Sequence, residues 1–334
     1  RDARSLWRAS FCTNSQCIRK DVRVEPFFLM LRILLACVAG ATALHVTSGD
    51  IADHRILFFG CSLDRNAIMD FCRDNGYKPW STTEPIQTAW CFNRGLNAKL
   101  AYMFNPGVGM NGDLQKPHAL AKGQSTHAII TKYANATALY ILEASPHLVV
   151  VDSSLWDLLV WRLGTLGGGR PMPEPKEVTT GRVQQWCKHD LPLLLQSVSE
   201  VFPTSRVAFR TAPTIDHTPT HEKFEKRDIE LLYKCIVDST QNGKLFGQYE
   251  IIDYHALMQP LIDRNVSDLF KADGYHPTQY PSALYINEVL RRVGVSSPDP
   301  PEPQRKKWAS RAAARLLAPR EDAPDELDEL LDLI

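Results

Sequence analysis

The stretch His147-Leu148-Val149-Val150-Val151-Asp152 is an unbroken apolar run closed by a carboxylate, and four runs like it recur along the chain. Arg55 to Gly60, Leu100 to Phe104, Arg206 to Arg210 and Tyr249 to Asp253 are short and apolar, the pattern of strands buried on both faces. Segments of helical period separate them: Asn66 to Asn75 (stopped by Gly76), Tyr133 to Ala144, Trp156 to Leu163, Val183 to Val201, Lys223 to Thr240, and last Pro281 to Val293. This alternation predicts an α/β fold, a three-layer α/β/α sandwich around a mainly parallel five-stranded sheet. Ligands of such open sheets gather outside the carboxyl ends of the strands. Chemistry is therefore expected just after residues 60, 104, 152, 210 and 253.

Two of those places carry reactive residue types. The first strand runs into Gly60-Cys61-Ser62-Leu63-Asp64-Arg65-Asn66. A serine between a strand end and a helix start is exposed at the ligand edge, beside the positive N-terminus of the helix, which favours a developing anion. The same position suits a simple helix cap. Just before the last helix comes Lys271-Ala272-Asp273-Gly274-Tyr275-His276-Pro277. A carboxylate three residues before a histidine can bond one imidazole nitrogen and fix the tautomer, leaving the other as general base toward a hydroxyl. The bland reading is an Asp-Gly turn with a surface histidine. Topology brings both segments to one sheet edge.

With these residues the chain resembles the SGNH/GDSL hydrolase superfamily, and within it the PC-esterase branch, which includes the plant trichome birefringence-like glycan O-acetyltransferases. The likeness spans roughly residues 54–294. Gly60-Cys61-Ser62 stands where the family has Gly-Asp-Ser, and Asp273-Gly274-Tyr275-His276-Pro277 matches the closing Asp-x-x-His block. Val149 to Asp157 stands where the family has an apolar strand followed by Asn. The resemblance implies the flavodoxin-like SGNH fold, with Ser62 as nucleophile, His276 as general base and Asp273 as its orienter. It places the oxyanion on backbone N–H groups of Ser62 and of Gly107 or Gly109. Asp152 takes the place of the family's oxyanion Asn, with Ser153 or Ser154 as stand-ins. A carboxylate donates only when protonated, and losing one oxyanion donor costs on the order of 10²–10³ in rate. Cys61 replaces the family Asp, as a small buried thiol or as an alternative nucleophile.

The implied reaction is acyl-esterase or O-acyltransferase chemistry through an acyl-serine, on an acylated carbohydrate or a small acyl ester. A catalytically inactive glycan-binding or scaffold protein on the same fold is the competing reading, and a lipid esterase a third. Arg65, Trp156, Asp157 and Arg210 are candidate substrate contacts; each also has a structural reading as ion pair or core. No cofactor and no metal are expected: His217, His221 and His255 lack ligand spacing, and there is no Walker loop or dinucleotide fingerprint. Lys plus Arg and Asp plus Glu both total 38, so no global electrostatic grip on nucleic acid is expected.

The termini speak to location. Met30-Leu31-Arg32 and the apolar Ile33 to Leu44, with small residues at Ala41-Thr42-Ala43, read as a secretory signal over residues 30–46. A type II anchor with Arg19, Lys20 and Arg23 on the cytosolic side is the alternative. On the first reading residues 1–29 lie upstream of the start. Either delivers the chain to the secretory pathway, to be secreted or held in the Golgi or ER lumen. Sequons at Asn135 and Asn265 agree. Cys72–Cys91 and Cys187–Cys235 are the preferred disulfide pairs, which leaves Cys61 free. The catalytic domain is expected over residues 50–296. Residues 297–334 form a proline-rich linker and a basic-then-acidic tail, disordered or loosely helical.

Overall fold

The computed structural model describes residues 12–13, 16–17, 54–77, 79–82, 87–105, 107–108, 126–163, 176–215, 224–241, 247, 249–264, 266 and 268–297. The signal or anchor segment, the C-terminal tail, Gly109 and Asn265 lie outside them. The chain divides into two units, Arg1–Ile51 and Ala52–Ile334. In the first, Cys12–Thr13 pairs antiparallel with Gln16–Cys17. The second holds everything that follows.

Among the described residues its sheet has seven strands: β1 (His54–Gly60), β2 (Trp80–Thr82), β3 (Thr88–Asn93), β4 (Ala98–Phe104), β5 (Leu148–Val151), β6 (Arg206–Arg210) and β7 (Glu250–Ile252). Their order is β2-β3-β4-β1-β5-β6-β7. The five expected strands form the parallel part, while β2 and β3 add an antiparallel edge beyond β4. The expected five-stranded sheet is thus corrected to seven. Strand β2 has only three residues, and β3 is not a continuous apolar run but alternates buried and half-buried side chains after Ala89. Asn97 takes a left-handed conformation (φ 46°) in the turn from β3 into β4, which asparagine tolerates better than most residues.

The helices are α1 (Ser62–Asp74), α2 (126–142), α3 (Ser154–Leu163), α4 (180–201), α5 (Lys226–Gln241), α6 (Tyr254–Asp263) and α7 (Gln279–Arg292). Two of them contain π-helical turns, Ile130–Ala134 and Ala138–Leu142 in α2 and Trp186–Asp190 in α4. Helix α7 packs on α1 and α6, and α4 packs on α2 and α5, so the sheet lies between two helical layers. Helix α6 is an unexpected element: Pro260 inside it argues against a helix, yet Asp253 caps it by accepting from the Ala256 N–H at 2.9 Å.

The parallel strands run in the order β4-β1-β5-β6-β7, so consecutive connections leave β1 in opposite directions. The crevice at this switch point, between the ends of β1 and β5, is where such folds bind ligands. The core beneath it is apolar, with Ile56, Leu57, Phe58, Leu148 and Val149 fully buried. Among the described residues no helix is long and apolar enough to cross a membrane.

Candidate active site

Chain direction delivers Ser62 to the ligand edge of the sheet. Strand β1 ends at Gly60, Cys61 keeps an extended backbone (φ −111°), and Ser62 is the first residue of α1. Cys61, not Ser62, is the helix cap. No described residue accepts the Ser62 N–H, which leaves it as one of the orphan donors of a helix N-terminus, beside its own hydroxyl.

His276 arrives from the other end of the sequence, on a short hairpin closed by the Lys271 N–H to His276 carbonyl bond at 2.7 Å. Its Nε2 lies 2.7 Å from Ser62 Oγ. Its Nδ1 lies 2.6 Å from Asp273 Oδ2. The other Asp273 oxygen accepts the backbone N–H groups of Tyr275 (3.1 Å) and His276 (2.9 Å). Burial pushes the Asp273 carboxyl up, but the bonds from His276 and the two amides outweigh it and hold it below the ordinary value. An ionised Asp273 accepts a hydrogen bond from the Nδ1–H, which keeps that proton on the ring, so Nε2 is the acceptor facing the serine hydroxyl.

The expected oxyanion and contact residues are distributed differently. Asp152 follows β5 and is buried; its Oδ1 accepts from the N–H (3.1 Å) and hydroxyl of Ser154. Its Oδ2 sits 2.5 Å from Arg210 Nη2. Burial, opposed by Arg210, raises the Asp152 carboxyl. Both oxygens are engaged, so Asp152 does not stand in for an oxyanion donor, even protonated. Ser153 and Ser154 are fully enclosed and offer no hydroxyl to a substrate oxygen in this structure.

Gly107 occupies a left-handed conformation (φ 111°), and its N–H is taken by Asn105 Oδ1 at 3.2 Å. The next N–H, of Val108, goes to Asp157 at 3.1 Å. Asp157 also accepts the indole N–H of the buried Trp186 at 2.7 Å. Asp157 is therefore a buried anchor for the loop after β4, not a sugar contact. Arg210 is corrected in the same way: it is wholly buried and pairs with Asp64 and Asp152. Arg65 bonds Asn66 Oδ1 (3.3 Å), and Trp156 packs edge-on against Phe104, centroids 5.1 Å apart.

Asn105 was not singled out from the sequence, although it directly follows an apolar run. It ties three strand ends together: its N–H donates to the Gly60 carbonyl (2.6 Å) and its Nδ2 to the Asp152 carbonyl (2.7 Å). Asp64 was also missed as a site residue. Its carboxylate accepts from the Cys61 N–H (3.0 Å), Arg210 Nε (2.9 Å) and Nη2 (3.1 Å), and the Tyr285 hydroxyl (2.7 Å).

Cys61 is buried under Ser62, and burial with the Asp152 charge raises its thiol well above the ordinary range. A neutral, enclosed thiol is a poor nucleophile. Cys61, Asp64 and Asp152 bring a sulfur and two carboxylates within 4.8 Å of one another, a donor set with metal-like spacing. Arg210 reaches both carboxylates and already supplies the cation there. Cys72 and Cys91 form a disulfide joining α1 to β3, Cα atoms 6.4 Å apart. Cys187 and Cys235, the second expected pair, are neighbouring thiols that hydrogen-bond each other without a disulfide between them, Cys187 also bonding Ser239 Oγ (3.2 Å) and Cys235 facing the Val183 carbonyl (3.9 Å). Asn135 is half-buried within α2, a less open setting than the surface loop expected of a glycosylation acceptor.

No protein-family model and no curated protein matches the chain. Solved structures do. A lipase/acylhydrolase from Enterococcus faecalis matches at 13% identity and TM-score 0.40, over 72% of this chain and 95% of that one. An extracellular lipase from Streptomyces rimosus matches at 10% identity and TM-score 0.37, over 72% and 99%. An acetyl xylan esterase matches at 14% identity and TM-score 0.39, over 72% and 99%.

Proposed function

We propose that the chain is a serine acyl-ester hydrolase or O-acyltransferase of SGNH/GDSL type. The observation that carries the reading is the relay from Ser62 Oγ through His276 to Asp273, with links of 2.7 and 2.6 Å. Ser62 Oγ attacks the acyl carbon while His276 Nε2 takes its proton. Asp273 stabilises the imidazolium, and the Ser62 N–H at the start of α1 faces the developing oxyanion. Collapse of the adduct passes the proton from His276 to the departing alkoxide and leaves the acyl group on Ser62. Water or a sugar hydroxyl, deprotonated by the same imidazole, then releases it.

The substrate class in this reading is an O-acylated glycan, from the likeness of the two end blocks to the PC-esterase branch. The secretory pathway is the proposed location, and the Cys72–Cys91 disulfide supports an oxidising compartment. Ser62→Ala tests the chemistry. It should abolish both p-nitrophenyl acetate turnover and labelling by a serine-directed fluorophosphonate. Unchanged turnover in that variant removes the proposal.

A second reading, a non-catalytic glycan-binding protein on the same fold, is favoured by one finding. Asp152 replaces a donor, and the N–H groups of Gly107 and Val108 are already taken. Under it the wild type resists the fluorophosphonate yet binds a carbohydrate array.

A further inference from the structure

We propose that Arg210, Asp64 and Tyr285 form a positioning clasp that sets the reach between Ser62 and His276. This rests on the reading of Ser62, His276 and Asp273 as an acyl-transfer relay, and concerns what holds that relay in register. The two halves of the relay are 214 residues apart, so no local turn fixes their distance. Something must join the start of α1 to α7.

Asp64 does so. On one side it accepts the N–H of Cys61, the residue before the nucleophile, at 3.0 Å. On the other it accepts the hydroxyl of Tyr285, on α7, at 2.7 Å. Helix α7 begins at Gln279, directly after the hairpin that carries His276. That hairpin is pinned to the helix start by Thr278, whose N–H donates to the Leu269 carbonyl (2.9 Å) and whose hydroxyl donates to the Asp268 carbonyl (2.6 Å). A shift of α7 along α1 would therefore carry His276 with it.

Arg210 locks the carboxylate from below. Its Nε and Nη2 grip both Asp64 oxygens at 2.9 and 3.1 Å, and its Nη2 also reaches Asp152 at 2.5 Å. The guanidinium lies 5.9 and 5.8 Å from the ring centres of Tyr254 and Tyr285. All of this is buried, where a planar bidentate cation fixes a carboxylate far better than a point charge. Gly60 makes the approach possible: a Cβ there would lie 2.1 Å from Asp64 Oδ2. A further α1–α7 bond, Gln279 Nε2 to Asp74 Oδ1 at 3.2 Å, is exposed and lies at the end of α1 away from Ser62.

Tyr285→Phe in the full chain is the test, because the ring keeps its stack on Tyr254 (4.6 Å) and its edge contact with Phe58 (6.2 Å) and loses only the hydroxyl. Arg210→Lys is the second variant; it keeps the buried charge and loses the fork. With active sites counted by fluorophosphonate, kcat for p-nitrophenyl acetate should fall on the order of 10- to 100-fold in both, with KM little changed. The imidazole ¹⁵N resonances of His276 should move, since they report what each ring nitrogen bonds. Gln279→Ala should leave kcat and those resonances alone. Unchanged kcat per site and unchanged resonances in both clasp variants, with only the unfolding midpoint lowered, would overturn the proposal. A wild type that takes no label defeats the catalytic reading instead, and the ¹⁵N comparison alone then decides the clasp.

Discussion

Ser62 Oγ and His276 Nε2 lie 2.7 Å apart, and the opposite ring nitrogen is held at 2.6 Å by Asp273. The proton order along this line depends on Asp273 being an acceptor only. In Asp273→Asn, the amide oxygen can keep the Tyr275 and His276 N–H bonds, which turns its NH₂ toward Nδ1. Nδ1 must then accept, and the ring proton moves to Nε2, where it faces the serine and no base remains. The expected result is a fall in kcat of about 10⁴-fold with the fold intact. Circular dichroism paired with p-nitrophenyl acetate kinetics checks it; wild-type turnover in this variant would remove Asp273 from the relay.

The relay was legible in the sequence because each part is local. A serine follows one apolar run, an Asp-x-x-His precedes the last helix, and parallel topology sends both to one rim. The supports beneath it were not legible for the opposite reason. Asp64 and Arg210 are 146 residues apart, and a buried ion pair between such positions leaves no periodicity. Arg210 ends an apolar run and Asp157 opens a helix, so the sequence admits each as a substrate contact or as a structural ion pair; burial among opposite charges or donors turns both inward. The edge strands escaped because β2 is three residues long and β3 has mixed burial.

Gly60 and Gly181 make opposite predictions from the same substitution. An alanine methyl at 60 would meet Asp64 Oδ2 at 2.1 Å, and that carboxylate is held by four donors. Gly60→Ala must displace it and is expected to cost about 2–4 kcal/mol. At Gly181, in the first turn of α4, a Cβ meets nothing within 4 Å. Gly181→Ala should stabilise by about 0.5–1 kcal/mol through helix propensity and a stiffer unfolded chain. Urea unfolding of the two variants should move the midpoint in opposite directions; a shared direction contradicts the packing described.

Asp157 is expected to matter for stability and not for substrate affinity. Removing it leaves the Trp186 indole N–H without its buried acceptor and frees the Val108 N–H. Asp157→Ala should cost roughly 2–5 kcal/mol on this count. KM for a glycan ester should stay at the wild-type value at temperatures where the variant is folded. A raised KM with unchanged stability would restore Asp157 as a substrate contact.

His255 supplies an acid-sensitive contribution away from the relay. It is buried at the start of α6, its ring stacks on Tyr233 with centroids 4.0 Å apart, and its Nδ1 has no hydrogen-bond partner among the described residues. Burial lowers its pKa below the ordinary 6.5, against the opposing pull of Asp253 and Glu230 and with help from Lys226. The unfolded chain therefore binds this proton more readily than the native one. The stability tied to the neutral ring is complete above 6.5, falls as pH drops below that value, and is gone once pH has passed the lowered native value. His255→Phe keeps a ring against Tyr233 and cannot protonate, so the variant should lose less stability than wild type between pH 7 and pH 5. Denaturant midpoints across that range measure the difference, and parallel pH curves for the two proteins would show that His255 is not the group responsible.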